Sequence, residues 1–396
     1  MHEINKQRID YSKIKVLIYG AGGKQALPMC KGFFDLGCEV TTYCESKLDT
    51  GYLTRYKHYA ILYDKKNEQT LFEYGLKLIR SKKYDLVVPI GDEGAKFLSE
   101  RKSELSQFAK IAVNDWDVFQ NVIDKAKTMR ICNENNIPAP LTLVTNNPLE
   151  EIDNKNISFP VVVKPKTGVG SIGFNIIDTK ENLEKYLDNY DNSNGPILIQ
   201  EYIHQGNSPQ YGVDVFRDRD GNIRMAIACK VTRWYPIDGG SRLHSISIHD
   251  PDMIQSGIDL INKLKYVGFA NMDLVWDEKE KRAKILEVNG RTGASVKLDY
   301  LAGIDVAKLI IQNEMGYEVE DMIDYQDDKQ VSCFLIDLLW FFKSSKRFST
   351  EPSWFDRKRI YDLIFSWDDP KPSIGFLITS IKGFGESMKK RKRFKG

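Results

Sequence analysis

Asp273, Glu287 and Asn289 are the residues whose types and spacing could hold a metal ion. They lie in FANMDLVWDEKEKRAKILEVNGRTGAS, residues 269–295. The apolar runs MDLVW and AKILEV flank a polar turn at 277–282, which predicts a hairpin. Alternation with period two puts Glu287 and Asn289 on one face of the second strand, with Asp273 on the first. Two carboxylates and an amide oxygen suit a hard cation that keeps several waters and bridges to phosphate oxygens, as Mg²⁺ does with a nucleotide. A solvated hairpin with ordinary surface acids would read the same way in isolation, so the rest of the chain must supply the context.

A phosphate partner is suggested by SFPVVVKPKTGVGSIGF at 158–174. A buried-looking strand ends in Lys164, and a loop with Gly168, Gly170, Ser171 and Gly173 follows. Glycines let backbone N–H groups fold around an anion, and a lysine fixed at a strand end supplies a point charge. A mobile turn beside a solvated lysine is the plainer alternative. The lysine precedes the glycines, so this is not the Walker loop. Downstream, the strand ILIQEYI carries Glu201, Tyr202 and Ile203, and a second strand, YGVDVFRD, follows Gln210.

The elements that would position these residues begin with IKVLIYGAGGKQALPMCKGFFDLGCEVTTYC, read as strand, Gly-rich turn, helix and strand. Further βα units at 69–89 and 93–113 extend it to an open parallel sheet of four or so strands. Gly20, Gly22 and Gly23 lack the third glycine of the dinucleotide fingerprint, so a structural turn is expected in place of a cofactor site. Residues 117–135 have helical spacing, with Asp124-Lys125 inside the pattern, and Pro138 and Pro140 mark its end.

Composition bounds the class. The chain has 396 residues, enough for two or three domains, with 42% hydrophobic and 28% charged residues, as in an ordinary globular protein. The longest apolar run, FLIDLLWFF at 334–342, is too short to span a bilayer. The N-terminus MHEINKQRID lacks a secretion-signal core, so a cytoplasmic location is expected. Six scattered cysteines without a Cys-x-x-Cys pair argue against zinc and disulfides, and the five histidines form no metal-like pair. Residues 331–396 hold 14 Lys/Arg against 7 Asp/Glu, while the rest of the chain holds 43 against 48. Any basic surface therefore belongs to the last segment.

Taken in order, Asp124-Lys125, VVVKPKTGVGSIGF, QEYI with YGVD, NMDLVW and ILEVNGR resemble the ATP-grasp superfamily, over about residues 14 to 320. The resemblance implies an α/β then α+β architecture: a Rossmann-like pre-ATP-grasp domain (1–112), a two-subdomain ATP-grasp fold (113–325, lid subdomain about 113–195), and a helical, basic, aromatic-rich C-terminal extension (326–396). It implies ATP and Mg²⁺ as cofactors, with Mn²⁺ able to substitute. Lys125 and Lys164 look like the two phosphate lysines, and 168–173 like the lid loop. Glu201 and the backbone of Tyr202 and Ile203 resemble the adenine contact, Asp273, Glu287 and Asn289 the metal ligands, and Arg291 the arginine on the transferred phosphoryl group. Gln210 stands where many members have a ribose-binding Glu, Asn-Gly-Arg replaces the more frequent Asn-Pro-Arg, and Asn271 replaces an arginine found in some peptide-forming members. Lys230, Arg233 and Arg242 fall where the family often places carboxylate- or phosphate-holding groups, and a guanidinium grips a carboxylate with two parallel hydrogen bonds.

The implied chemistry is phosphorylation of a carboxylate to an acyl phosphate, which an amine attacks to give an amide. Alternatives are carbamoyl-phosphate-synthase-like carboxyphosphate chemistry, and a nucleotide-binding regulatory protein without ligation. The last segment alternates aromatic and basic stretches, which read as a packed extension or as a seat on an anionic membrane face at the cytoplasmic side, where each basic residue is worth about 1 kcal/mol. Nothing in it looks like a base-reading fold, so nucleic acid is not expected as a partner. The run SWDDPKPSIGF resembles the appendage of D-aspartate ligase-like envelope enzymes, which suggests a lipid-linked cell-envelope precursor as acceptor.

Overall fold

Among the described residues, apolar patterning sorts the strands into three sheets, each built around its own burial requirement. The computed structural model describes residues 9–63, 71–143, 148–155, 157–165, 175–190, 197–204, 208–237 and 240–381. Strands β1 (Lys15–Tyr19), β2 (Glu39–Cys44), β3 (Tyr59–Leu62), β4 (Leu86–Pro89) and β5 (Lys110–Ile111) form a parallel sheet of order β3-β2-β1-β4-β5. Val16 to Tyr19 are all buried, as expected of a strand covered on both faces. The Gly-rich turn after β1 is closed by the chain itself. Thr50 Oγ1 donates to Gly23 O at 2.7 Å, and a Cβ on Gly51 would lie 2.4 Å from that of Ala21. The strand order reverses between the parallel strands β1 and β4, the switch point at whose carboxyl ends such sheets form a crevice, beside the helix Asp92–Glu100.

The helical pattern at 117–135 is two helices, Trp116–Ile123 and Lys125–Glu134. Asp124 makes the break. Its side chain accepts hydrogen bonds from Ala126 N at 2.9 Å and Lys127 N at 3.3 Å, capping the second helix. Lys125 thereby becomes the first residue of a new helix instead of a surface residue in mid-helix.

A smaller antiparallel sheet, β6 (Thr142–Leu143), β7 (Val161–Pro165), β8 (Asn175–Ile177) and β9 (Ile197–Glu201), has the order β6-β9-β7-β8. The largest sheet comprises β10 (Gln210–Arg217), β11 (Ile223–Tyr235), β12 (Ser241–Ile248), β13 (Gly268–Asp277), β14 (Arg282–Asn289), β15 (Gln330–Ser332) and β16 (Ile360–Asp362), ordered β14-β13-β10-β11-β12-β15-β16. Val213, Val215 and Met272 on one face pack under the helix Pro251–Leu264. On the other face, Phe216, Ile227 and Phe269 share a core with β1 and the helix Val306–Met315. That shared core ties the parallel unit to the hairpin sheet.

The expectation of a helical C-terminal extension is corrected. Besides the helix Phe334–Lys343, this segment adds β15 and β16 to the edge of the large sheet. It also grips the N-terminal unit: Asp369 accepts from Arg55 N at 3.1 Å and from Thr54 Oγ1, and Asp368 accepts from Tyr56 OH. The two acids of SWDDPKP are therefore docking groups within the fold.

Candidate active site

The hairpin brings its three oxygen-bearing side chains together. Asp273 on β13 pairs directly with Glu287 on β14, and a bulge between Asp273 and Leu274 adjusts the register. Asn289, two residues further along, has its Nδ2 3.4 Å from Asp273 Oδ2, and the amide turned over would present Oδ1 instead. Like charges at directly opposed positions repel, so this pairing costs stability unless cations answer it. Two side chains do. Lys125 Nζ lies 2.8 Å from Glu287 Oε2. Arg242, on β12, reaches across two strands to donate to Asp273 and, at 2.8 Å, to Met272 O. Its path lies over Gly212, where a Cβ would fall 2.2 Å from Arg242 Nη1. A glycine inside a strand often marks such a close approach, a signal in the sequence that went unused.

Charge follows geometry. Burial pushes the Asp273 carboxyl up, opposed by Arg242 and reinforced by Glu287. Burial also acts to raise Glu287, but Lys125 and Lys164 hold it below the usual range. Lys164, at the end of β7, donates to Gln200 Oε1 at 2.9 Å, and Gln200 Nε2 donates to Thr142 Oγ1 at 2.7 Å. Burial and then Lys125 push Lys164 down to about 8, against the pull of Glu287. Five elements thus converge: three cations, two carboxylates and an amide around one face of the hairpin. Hard oxygen donors beside fixed ammonium groups fit a divalent cation with a polyphosphate.

Other predicted residues fall at varying distances from this centre. Gln210 shares the face of Gly212 and Asp214 on β10 by strand alternation. Glu201 Oε2 accepts from Leu141 N at 3.2 Å and lies 3.4 Å from Lys284 Nζ, which also holds Asp277 at 2.8 Å and Glu280 at 2.6 Å. Three acids sharing one buried lysine tie the end of β9 to the hairpin turn. Tyr202 packs edge-on against His204 at 4.9 Å, and Ile203 is buried. Arg291 faces the parallel unit: its Nη2 donates to Asp92 Oδ2 at 3.0 Å, and its Nε lies 2.9 Å from Oδ1. Asp92 opens the helix beside the β1/β4 crevice, so Arg291 links that crevice to the hairpin.

Two of the three expected substrate-side cations are placed elsewhere. Lys230 alternates onto the face opposite Cys229 and Asp273, since Gly212 pairs with both of these while Tyr211 pairs with Lys230. Arg233 follows a register shift in β11, is fully buried, and donates from Nε to Asp337 Oδ1 at 2.9 Å. Neither belongs to the hairpin face. Gly168, Gly170, Ser171 and Gly173 lie outside the described residues.

A buried polar layer under the site was not foreseen. Asp214 accepts from Ser295 Oγ at 2.6 Å and from Asn271, whose Oδ1 in turn faces Asn289 Nδ2 at 3.3 Å. Asp299 lies beside Asp214; burial and that neighbour hold its carboxyl well above the usual range. The layer props Asn271 and Asn289 from behind. Its members are spread over 85 residues of sequence, and no spacing connects them.

With this geometry established, the model of the ATP-grasp domain is found to match residues 122–295. Those residues are an ATP-grasp domain. The chain is similar to the D-aspartate ligase of Enterococcus faecium, 26% identical over 254 residues that cover 60% of each protein. It is also similar to the C-terminal section of the carbamoyl phosphate synthase large chain of Methanopyrus kandleri, at 22% over 250 residues, covering 61% of this chain and 43% of that one. The chain thus spans about three fifths or less of these relatives' lengths. Among solved structures, the biotin carboxylase domain of Hydrogenobacter thermophilus 2-oxoglutarate carboxylase superposes with a TM-score of 0.66 at 18% identity, over 80% of this chain and 73% of that one. An L-amino acid ligase from Bacillus licheniformis gives 0.57 at 16%, over 78% and 75%. These likenesses place the ATP-grasp fold with its mixed α/β content.

Proposed function

We propose that this protein is an ATP- and Mg²⁺-dependent carboxylate–amine ligase that forms an amide through an acyl phosphate. The observation that carries the reading is the in-register Asp273–Glu287 pair with Asn289 beside it, faced by Lys125 and Lys164 from separate elements of an ATP-grasp domain. In this reading the parallel N-terminal unit is the Rossmann-like domain that precedes the ATP-grasp fold. Asp273, Glu287 and Asn289 would hold Mg²⁺, or Mn²⁺ in its place, and the bound metal would neutralise phosphate charge. Lys125 and Lys164 bind the nucleotide phosphates, and Glu201 with the Tyr202–Ile203 backbone borders the base. Arg242 reaches the metal-side face and is the remaining candidate to orient the acid. Arg291 stands at the crevice, where it can steady the phosphoryl group in flight; placing fixed charges where charge develops is the main source of rate here. The amine then attacks the acyl carbon, a C–N bond forms, and phosphate leaves.

Similarity to D-aspartate ligase supports an amino acid as one substrate; a cell-envelope precursor is our proposal for the other. Similarity to the carbamoyl phosphate synthase chains supports a second reading, phosphorylation of bicarbonate. Phosphate release from Mg·ATP across a panel of D- and L-amino acids, each with and without bicarbonate, separates them. Stimulation by one amino acid supports the ligase; stimulation by bicarbonate alone supports carboxyphosphate chemistry and overturns it.

Lys164 adds a pH signature. An ordinary lysine keeps its charge to about 10.5, whereas Lys164 loses it as pH rises through about 8. Free-enzyme groups govern kcat/KM, so kcat/KM for ATP should fall above about pH 8, and Lys164→Arg should move that limb to higher pH. A flat profile to pH 10 would remove Lys164 from phosphate binding.

We further propose peripheral contact with the inner face of the cell membrane through the basic C-terminus. Among the described residues no helix is long and apolar enough to cross a membrane. Deleting residues 389–396 is expected to weaken binding to anionic liposomes in co-sedimentation; unchanged binding would count against the contact.

A further inference from the structure

The C-terminal helix over residues 371–381 turns an apolar stripe outward. Ile374 is 61% exposed, Ile381 is 68% exposed, and Leu377 between them is also exposed. Positions three, four and seven apart share one helix face. Just before the helix, Trp367 is 89% exposed, with the edge of Phe365 against it at 4.9 Å. Leaving four large apolar groups in water along one short segment is costly, at about 25 cal/mol per Å².

The helix is not loosely attached, so this exposure is not fraying. Its opposite face is seated on the N-terminal unit, where a Cβ on Gly375 would fall 2.3 Å from Leu53 Cδ1 and 2.4 Å from Leu48 O. Phe376 packs into the core formed by Leu298, Trp340 and Leu363. Asp368 and Asp369 fix the preceding turn on residues 54–56. The fold therefore holds the stripe outward in a defined orientation.

The sequence that follows the stripe sets the kind of surface that would cover it. Residues 382–396 contain seven Lys/Arg and one Glu. An eleven-residue helix is about 16 Å long and its face about 10 Å wide, so it offers about 160 Å², against about 800 Å² per partner for a stable protein–protein interface. A second copy of the chain would be held weakly there. An exposed tryptophan and an exposed aliphatic stripe, followed in sequence by clustered cations, match the chemistry of an anionic bilayer interface.

We propose that Trp367, Ile374, Leu377 and Ile381 form a docking face that enters the interfacial layer of an anionic membrane, with the basic residues that follow supplying attraction to the headgroups. The inference rests on the membrane contact proposed above but assigns apolar insertion to a rigid, folded face. It also fixes orientation, because that face is anchored to the N-terminal unit.

The test uses the full chain and vesicles of phosphatidylcholine with and without phosphatidylglycerol. Wild type should bind the anionic vesicles, and the variant Trp367→Ser/Ile374→Ser/Ile381→Ser should bind about ten-fold more weakly or worse, with unchanged phosphate release and melting temperature. Brominated lipid should quench part of the tryptophan emission in wild type and less of it in Trp367→Phe, which keeps the fold even if the triple variant does not. Wild-type binding by the triple variant, or equal quenching with and without Trp367, overturns the docking face and leaves the basic tail as the only contact. Absence of any binding to anionic vesicles overturns both membrane proposals while leaving the ligase reading to its own assay. A change in oligomeric state of the triple variant on size-exclusion chromatography, with vesicle binding intact, would assign the face to a second copy and overturn the proposal.

Discussion

Glu287→Gln is expected to lower ATP turnover by about a thousand-fold while leaving the fold in place. The substitution keeps the size and hydrogen-bonding capacity of the side chain and removes one negative charge. Glu287 is the carboxylate opposite Asp273 and the partner of Lys125 at 2.8 Å. With glutamine there, the hairpin offers a cation one full charge fewer, and the amide competes poorly with water for a hard ion. Lys125 loses its counter-charge, and Lys164 loses a carboxylate that supports its protonated form. Binding and transition-state stabilisation should thus suffer together. Stability should change little, because the lost Lys125 contact is offset by relief of the repulsion between two carboxylates at paired positions. Phosphate release, a Mg²⁺ titration and a thermal melt on the same preparation check this. Turnover within ten-fold of wild type, or an unshifted Mg²⁺ requirement, would withdraw the metal assignment from this hairpin.

What could be read in advance was local. The hairpin came from two apolar runs and a polar turn, and period two placed Glu287 and Asn289 together, because one face of each strand packs on the helix Pro251–Leu264. The parallel N-terminal sheet followed from alternating strand and helix patterns, at five strands where four or so were expected. The misreadings arose where a side chain's destination depends on distant residues. Asp124 splits a helix that periodicity runs through, because its carboxylate competes for backbone N–H groups. Lys230, Arg233 and Arg242 look equivalent along the chain, yet strand alternation sends the first to the other face and a register shift sends the second into the core. The strands Gln330–Ser332 and Ile360–Asp362 are three residues each, too short for alternation to register. The Asp214, Asn271, Ser295 and Asp299 layer is assembled wholly by tertiary contact. Here sequence patterns located the hairpin, and long-range packing decided which charges reach it.

Asp337→Ala should destabilise the protein by about 3–5 kcal/mol, the usual cost of stranding a buried charge. Asp337 is fully buried at the junction of the C-terminal segment and β11. It accepts from Arg233 Nε at 2.9 Å and from Ser332 Oγ at 3.1 Å, and lies 3.2 Å from Arg357 Nη1. Arg233 sits over the Trp340 ring at 5.7 Å, and Arg357 lies against Trp354 at 4.2 Å. His244 cannot act as a further cation, since burial and then Arg233 push it down to about 3. One carboxylate thus answers two guanidinium groups, and removing it leaves Arg233 charged with almost no access to water. Urea unfolding should show a lower midpoint with an unchanged slope. The variant Arg233→Met/Asp337→Leu should recover most of the loss, because an apolar pair of similar volume has no stranded charge and Arg357, partly exposed, can turn to solvent. If Asp337→Ala instead costs less than about 1 kcal/mol, or the double variant is no better than the single, the C-terminal segment is held by its strands and aromatic packing and not by this buried pair.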